Sequence, residues 1–325
     1  MVMKKLLSLF TLERRPVKGL LSFEYALLGY IAITLVILLF LYTRIESPET
    51  MIWGRLRVVA LTAALWAVYR LLPCRFTLLC RVLLQLAMLS WWYPETYEFN
   101  CVLPNLDHLF ASWEQSLFGC QPSLIFSRHF SHPIVSELMC LGYVSYYPMI
   151  VAIAIYYYFM RPEKFVSAAN IILTSFFLYY IIYILVPVAG PQYYYPAIGM
   201  DAVEAGHFTS VGTYFATHTE ALATPGWQSG FFYDMVRAAH DAGERPTAAF
   251  PSSHVGVSTI VMLLAWRARS RSLILGLLPL YILLCLSTVY IYAHYAIDVL
   301  GGWISAVIFY FALIGIEKTK RAPCR

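Results

Sequence analysis

His294 and Asp298 stand four residues apart in the stretch Ser287-Thr288-Val289-Tyr290-Ile291-Tyr292-Ala293-His294-Tyr295-Ala296-Ile297-Asp298. On a helix that spacing puts both side chains on one face, a turn apart. A carboxylate so placed can accept a hydrogen bond from one imidazole nitrogen. That fixes the tautomer and leaves the other nitrogen free to attack an electrophile. Asp298 also falls in the first turn of an apolar run, where an idle carboxylate is costly. The bland alternative is a helix-capping Asp beside an unrelated His.

A second stretch, Arg245-Pro246-Thr247-Ala248-Ala249-Phe250-Pro251-Ser252-Ser253-His254, runs straight into another apolar block. Pro followed by two Ser is a helix start, and either Ser252 or Ser253 can cap it. The amides and positive dipole end of such a start suit an anion, most naturally a phosphate. A His in that first turn can bond a phosphate oxygen or protonate a leaving group. An interfacial His with no such role fits this stretch equally well.

These residues are carried by a chain unlike a soluble protein. Of 325 residues, 60% are hydrophobic and 13% charged, about half the charge usual in soluble domains. A soluble globular enzyme and a disordered chain are both excluded. The apolar residues come in blocks about 20 long, enough for a helix to cross hydrocarbon. The blocks lie near 23–43, 52–72, 75–93, 134–159, 164–188, 252–268, 272–292 and 294–315, which predicts an all-α membrane bundle of about eight spanning helices. Two long segments, 94–133 and 189–250, separate them, and there is no fixed-period repeat or low-complexity tract. The chain reads as one integrated domain: residues 1–93 hold a surface helix and three spans, and residues 94–325 the catalytic region.

The net charge of +5 could suggest nucleic acid, but basic residues collecting on the cytoplasmic side of a membrane explain it. Sixteen of the 23 Lys and Arg fall before the first span, in alternate connections and at the C-terminus. With eight spans all sixteen share the cytoplasmic face, and so do both termini. Both long segments and all eight His then face outward. Within the first outer segment, Leu106, Leu109, Phe110, Trp113 and Leu117 recur at helical spacing, with Asp107, Glu114 and Gln115 on the other face. Gly119 and Pro122 end this helix. It reads as an interfacial helix or, more sharply, as a lid. Trp91, Trp92 and Tyr93 mark the membrane interface before it. At the N-terminus, Leu6, Leu7 and Phe10 beside Lys4, Lys5 and Arg14 suit a short surface helix or a frayed tail. The seven Cys have no metal-ligand spacing. Only Cys101 and Cys120 share an outer segment, where a disulfide could form.

The two histidine stretches resemble the second and third signature motifs of the type 2 phosphatidic acid phosphatase superfamily, which also includes vanadium haloperoxidases. Pro251-Ser252-Ser253-His254 differs from that family's Pro-Ser-Gly-His by one residue. Ser287 and His294–Asp298 match its Ser-Arg, five residues, His, three residues, Asp in register. Thr288 replaces the phosphate-binding Arg. The first motif, Lys, six residues, Arg-Pro, is absent; Gly190-Pro191-Gln192-Tyr193-Tyr194-Tyr195-Pro196 stands in its place. These departures, the Phe-Pro-Ser-x-His form and the segment from Leu106-Asp107 to Leu117-Phe118-Gly119 resemble the inositol phosphorylceramide synthase-like branch.

The resemblance covers about residues 100–315. It implies a six-helix core and a phosphohistidine mechanism without metal or other cofactor. His294 would be the nucleophile, Asp298 its orienting carboxylate and His254 the acid and base. The phosphate's positive partner must come from elsewhere, with Arg245 the first choice and Arg237 the weaker. Ser252, Ser253 and Gln192 or Tyr194 would add neutral donors. The partners implied are the membrane, a phospholipid donor and a lipid acceptor of ceramide type, with no nucleic acid. Attack by water instead would make a lipid phosphate phosphatase. A transporter or scaffold that kept the fold is the non-enzymatic alternative, although transporters usually show internal repeats.

Overall fold

The chain's apolar blocks become helices because hydrocarbon leaves backbone N–H and C=O groups no partner outside their own segment. A computed structural model describes residues 9–14 and 16–321. Its helices are α1 (Ser22–Leu41), α2 (Pro48–Leu71), α3 (Arg75–Asn100), α4 (Asp107–Phe118), α5 (Pro122–His129), α6 (Pro133–Val144) and α7 (Tyr146–Met160). There follow α8 (Pro162–Leu185), α9 (Pro191–Ile198), α10 (Met200–Glu204), α11 (Phe231–Asp241), α12 (Ser253–Arg267), α13 (Arg271–Tyr290) and α14 (Ala296–Arg321). Six of them, α1, α2, α3, α8, α13 and α14, are long and apolar enough to cross a membrane. The pair α6 and α7, bent by 46°, makes a seventh if counted as one span. The eighth expected span, α12, has 15 residues, about 22 Å of helix, which is short of the hydrocarbon thickness.

Two further expectations change. The helix read as ending at 93 continues as α3 through Pro94 to Asn100, and Trp92 has no exposed surface. The expected N-terminal surface helix rests on Lys4 to Leu7, which lie outside the described residues; Phe10 to Arg14 are not helical. Cys101 and Cys120 are not joined by a disulfide.

The chain divides into two compact units, Met1–Glu95 and Thr96–Arg325. In the first, α1, α2 and the start of α3 are tied by buried ion pairs. Arg81 holds Glu24, with Nε 2.8 Å from Oε1. Arg55 holds Glu95 at 3.0 Å and also donates to Thr34.

In the second unit α8 is the central column, buried along most of its length, with α7, α12 and α14 packed on it. The crossing of α12 and α14 is set by glycine. A Cβ on Gly302 would come 2.7 Å from the Ser252 carbonyl oxygen, and one on Gly256 would collide with Tyr179. This is the close approach that Gly301-Gly302 predicts. It brings the start of α12, with His254, alongside the start of α14, with Asp298.

Gly302→Ala should destabilise the protein by about 1–3 kcal/mol, the usual cost of overpacking. Gly315→Ala, where a Cβ meets nothing within 4 Å, should be neutral or stabilising by up to about 1 kcal/mol. Thermal unfolding of both variants in detergent micelles checks the contrast.

Candidate active site

Three irregular stretches meet at the end of α8, the start of α12 and the end of α13: residues 186–190, 246–252 and 291–295. Irregular backbone inside a buried region must find hydrogen bonds within the protein, and these stretches bond to one another. Ala249 N–H donates to the Val188 carbonyl (2.9 Å), Gln192 N–H to Tyr292 (2.9 Å) and Ser252 N–H to Asp298 (3.0 Å). His294 N–H closes the turn after α13 onto Thr288 (3.0 Å). Gly190, at φ +92°, is required here, because a Cβ would sit 2.7 Å from the Ala293 carbonyl oxygen. Ala248 and Tyr292 also hold positive φ, at 68° each. Such strain persists only where surrounding contacts impose it, and it clusters at functional sites.

The lacing brings His294, Asp298 and His254 together, as the motif spacing predicts. The ring of His294 is 4% exposed. Its Nδ1 lies 2.8 Å from the Ala249 carbonyl oxygen, an acceptor only, so Nδ1 carries the proton and donates. Its Nε2 therefore carries the lone pair and faces His254 Nδ1 at 3.5 Å. Asp298 Oδ2 is 3.6 Å from His294 Nδ1, beyond hydrogen-bond range, and accepts from the Tyr295 N–H at 2.8 Å. The partner of His294 Nδ1 is thus the Ala249 carbonyl and not Asp298, which instead bonds the N–H at the start of α14. Burial lowers the His294 pKa to about 4, so the imidazole is neutral near pH 7 and its lone pair available.

His254 is held between aromatic rings, Tyr143 at 4.7 Å and Tyr146 at 4.4 Å. The Tyr143 hydroxyl donates to Glu244 at 2.9 Å, and the other oxygen of Glu244 lies 3.1 Å from His240 Nε2. Ser252 caps α12, accepting from the Val255 N–H. The Ser253 N–H donates to the Tyr183 hydroxyl at 3.1 Å, which itself donates to the Pro251 carbonyl. Two first-turn amides expected to be open to an anion are therefore already bonded within the protein. Gln192 is buried beside this turn, its Oε1 without a partner. Thr288 is fully buried and its hydroxyl turns back to the Cys285 carbonyl.

The two candidate cations are not part of this cluster. Arg237 is exposed on α11 and paired with Asp234 at 3.4 Å. Arg245 is exposed, although its charge acts on Tyr97 and Tyr193.

The largest departure concerns α4. The residues expected on its outer, polar face, Asp107 and Glu114, have no exposed surface, whereas Trp113 and Leu117 are exposed. Asp107 accepts from Asn105 Nδ2 (2.5 Å), the Ala189 N–H (2.6 Å), the Gly190 N–H (2.8 Å) and the Tyr295 hydroxyl (3.0 Å). Burial pushes the Asp107 carboxyl up, against the pull of those donors. Glu114 Oε2 accepts from the Ile297 N–H at 3.2 Å, one of the orphan amides at the start of α14. Residues 107, 110, 111 and 114 share one helical face, so the buried side joins the two acids to Phe110, which the sequence pattern assigns to the opposite, apolar face.

Residues 108–312 match the family model described as the PAP2 superfamily. No curated protein and no solved structure matches the chain.

Asp107→Ala would orphan four donors and release the 189–190 turn and Tyr295, the neighbour of His294. It should lower kcat by about 100-fold, the scale of an ångström of misplacement at a reacting centre, with helix content unchanged by circular dichroism. A loss below about threefold would remove Asp107 from the support of the site.

Proposed function

The chain belongs to the PAP2 superfamily, and from that premise we propose that it is an integral membrane lipid phosphotransferase working through a phosphohistidine. Membership supports a lipid enzyme of phosphatase or phosphotransferase type. One observation carries the finer reading: a buried imidazole whose Nδ1 is committed to Ala249 and whose Nε2 lone pair faces a second His.

In the first step His294 Nε2 attacks phosphorus, forming an N–P bond as the ester P–O bond to the donor breaks. The departing alkoxide takes a proton from His254, which enters the step as the imidazolium, protonated when the anionic headgroup binds beside it. The Nδ1 proton stays on His294, so the phosphohistidine carries ring charge that Asp298, at 3.6 Å, offsets. In the second step His254 takes the proton of an acceptor hydroxyl, whose oxygen displaces His294 from phosphorus. A metal ion has no part in these steps, and among the described residues no three His, Cys, Asp or Glu converge as a metal-binding group.

Transfer is favoured over hydrolysis because the nucleophile is covered. His294 is buried, and the long segment 189–250 is bonded back onto α9, the Leu222 N–H donating to the Gln192 carbonyl. Water is a poor competitor for a lipid hydroxyl in such a site. The resemblance to the inositol phosphorylceramide synthase-like branch suggests inositol phosphate as the transferred group and a ceramide-type lipid as acceptor. With α12 counted as a short eighth crossing, the distribution of Lys and Arg supports a site on the extracytoplasmic face with both termini in the cytosol.

Purified protein with labelled phosphatidylinositol and ceramide, and separately with phosphatidic acid, tests the reading. Rapid-quench labelling should trap phosphate on His294, His294→Ala should lose essentially all turnover, and EDTA should leave turnover unchanged. Release of free phosphate without transfer would make the protein a phosphatase. Activity surviving in His294→Ala would overturn the assignment.

The transferring phosphoryl group still needs positive charge beyond neutral donors, and we assign that role to Arg245. Its exposed side chain leaves it free to close on a bound headgroup. Arg245→Ala should cost about 2–4 kcal/mol of transition-state stabilisation and Arg245→Lys should recover part. Arg237→Ala, whose charge is already paired, should change little. Turnover of the three variants decides, and a loss below about threefold at 245 would remove Arg245 from the site.

A further inference from the structure

Three carboxyl groups lie in the wall around His294 with no buried cation among them. Asp107, Glu114 and Asp298 each have no exposed surface. Among the described residues, neither Asp107 nor Glu114 joins an ion pair, and Asp298 has only the neutral ring of His294 beside it. Burying three like charges without counter-charge is far costlier than keeping a proton in the cluster. The hydrogen bonds indicate where the proton goes. Asp107, with four donors, is satisfied as an anion. Glu114 and Asp298 each keep one buried oxygen, Oε1 and Oδ1, without a partner. Asp298 is the residue whose charge the phosphohistidine needs.

We propose that Glu114 is held protonated and serves as a positioning residue: a neutral carboxyl on the first turn of α14 that leaves Asp298 as the single negative charge beside His294. The inference rests on the phosphohistidine reading, which decides that Asp298 keeps the charge and Glu114 the proton. Glu114 is docked by its other oxygen on the Ile297 N–H, the residue next to Asp298. It therefore holds that turn without adding charge to it.

Burial first, and the Asp298 charge second, push the Glu114 carboxyl up to about 8. The titratable groups facing it are Asp298 on α14 and Tyr195 on α9, while Asp107 acts on Asp298 from the same helix α4. Below about pH 8 the carboxyl is neutral. Above it, ionisation sets a second negative charge against Asp298 and against the phosphoryl group, so turnover falls as pH rises.

The test compares the pH profile of kcat in wild type, Glu114→Gln and Glu114→Ala, with infrared spectra of the same samples. Wild type should lose turnover above about pH 8, and its spectrum should show a protonated-carboxyl band that fades over that range. Glu114→Gln should keep kcat within about threefold at neutral pH, lose the alkaline fall and lack the band. Glu114→Ala should be slower at every pH. Asp298→Asn, inactive on the present reading, should move the band's disappearance to lower pH and assigns it should Glu114→Gln not fold.

Three results would overturn the proposal. Glu114→Gln could be as inactive as His294→Ala, it could keep the alkaline fall, or the wild type could lack the band. If wild type neither transfers nor releases phosphate, the phosphohistidine reading fails by itself, and the infrared band still decides whether Glu114 holds a proton.

Discussion

The site exists because a stretch of irregular backbone, buried among apolar side chains, must have every N–H and C=O bonded. Residues 186–190 are the knot. The Pro187 carbonyl takes the Leu106 N–H, the Val188 carbonyl takes Ala249, and the N–H groups of Ala189 and Gly190 go to Asp107. Ala249, fixed in this way, turns its own carbonyl to His294. The position of the reactive ring is thus set by backbone pairing among three turns more than by its neighbouring carboxylate. Nothing in that chain of bonds is optional, since each group that lost its partner would be stranded away from water.

The same economy accounts for the site's charge. Superfamily members resembled by this chain place Lys and Arg where Gly190 to Tyr195 and Thr288 stand here. Those positions are occupied by close backbone contacts and by a hydroxyl turned back to its own helix. The resting site consequently holds buried carboxyls and neutral imidazoles. On the proposed mechanism an anionic phosphate entering it would have to bring or recruit positive charge from the surface, and the protonation of the wall around Asp298 would then bear on turnover.

Helix α4 shows how such a wall is built. Its inward face carries Asp107, Phe110, Ala111 and Glu114, and its outward face Trp113 and Leu117. Carboxyls facing protein can answer orphan amides at a helix start and in a turn, as Glu114 does at Ile297 and Asp107 at Ala189 and Gly190. The arrangement ties α4 to the turn that carries His294.

Much was legible in the residues themselves. Apolar runs of membrane length determined the helices, because periodic burial in hydrocarbon needs no partner to be recognised. The four-residue spacing set His294 and Asp298 on neighbouring turns and the Pro-Ser-Ser-His stretch marked the start of α12, since local geometry fixes such relations; that the two histidines belong to one site came from the resemblance. What no local pattern holds is which atom completes each contact. That Ala249 and not Asp298 bonds the His294 ring, that Tyr183 occupies an amide at the start of α12, and that α4 turns its acids inward depend on segments 45 to more than 180 residues apart in sequence. Buried polar groups are satisfied by whatever the fold brings near, and only the tertiary structure decides what that is.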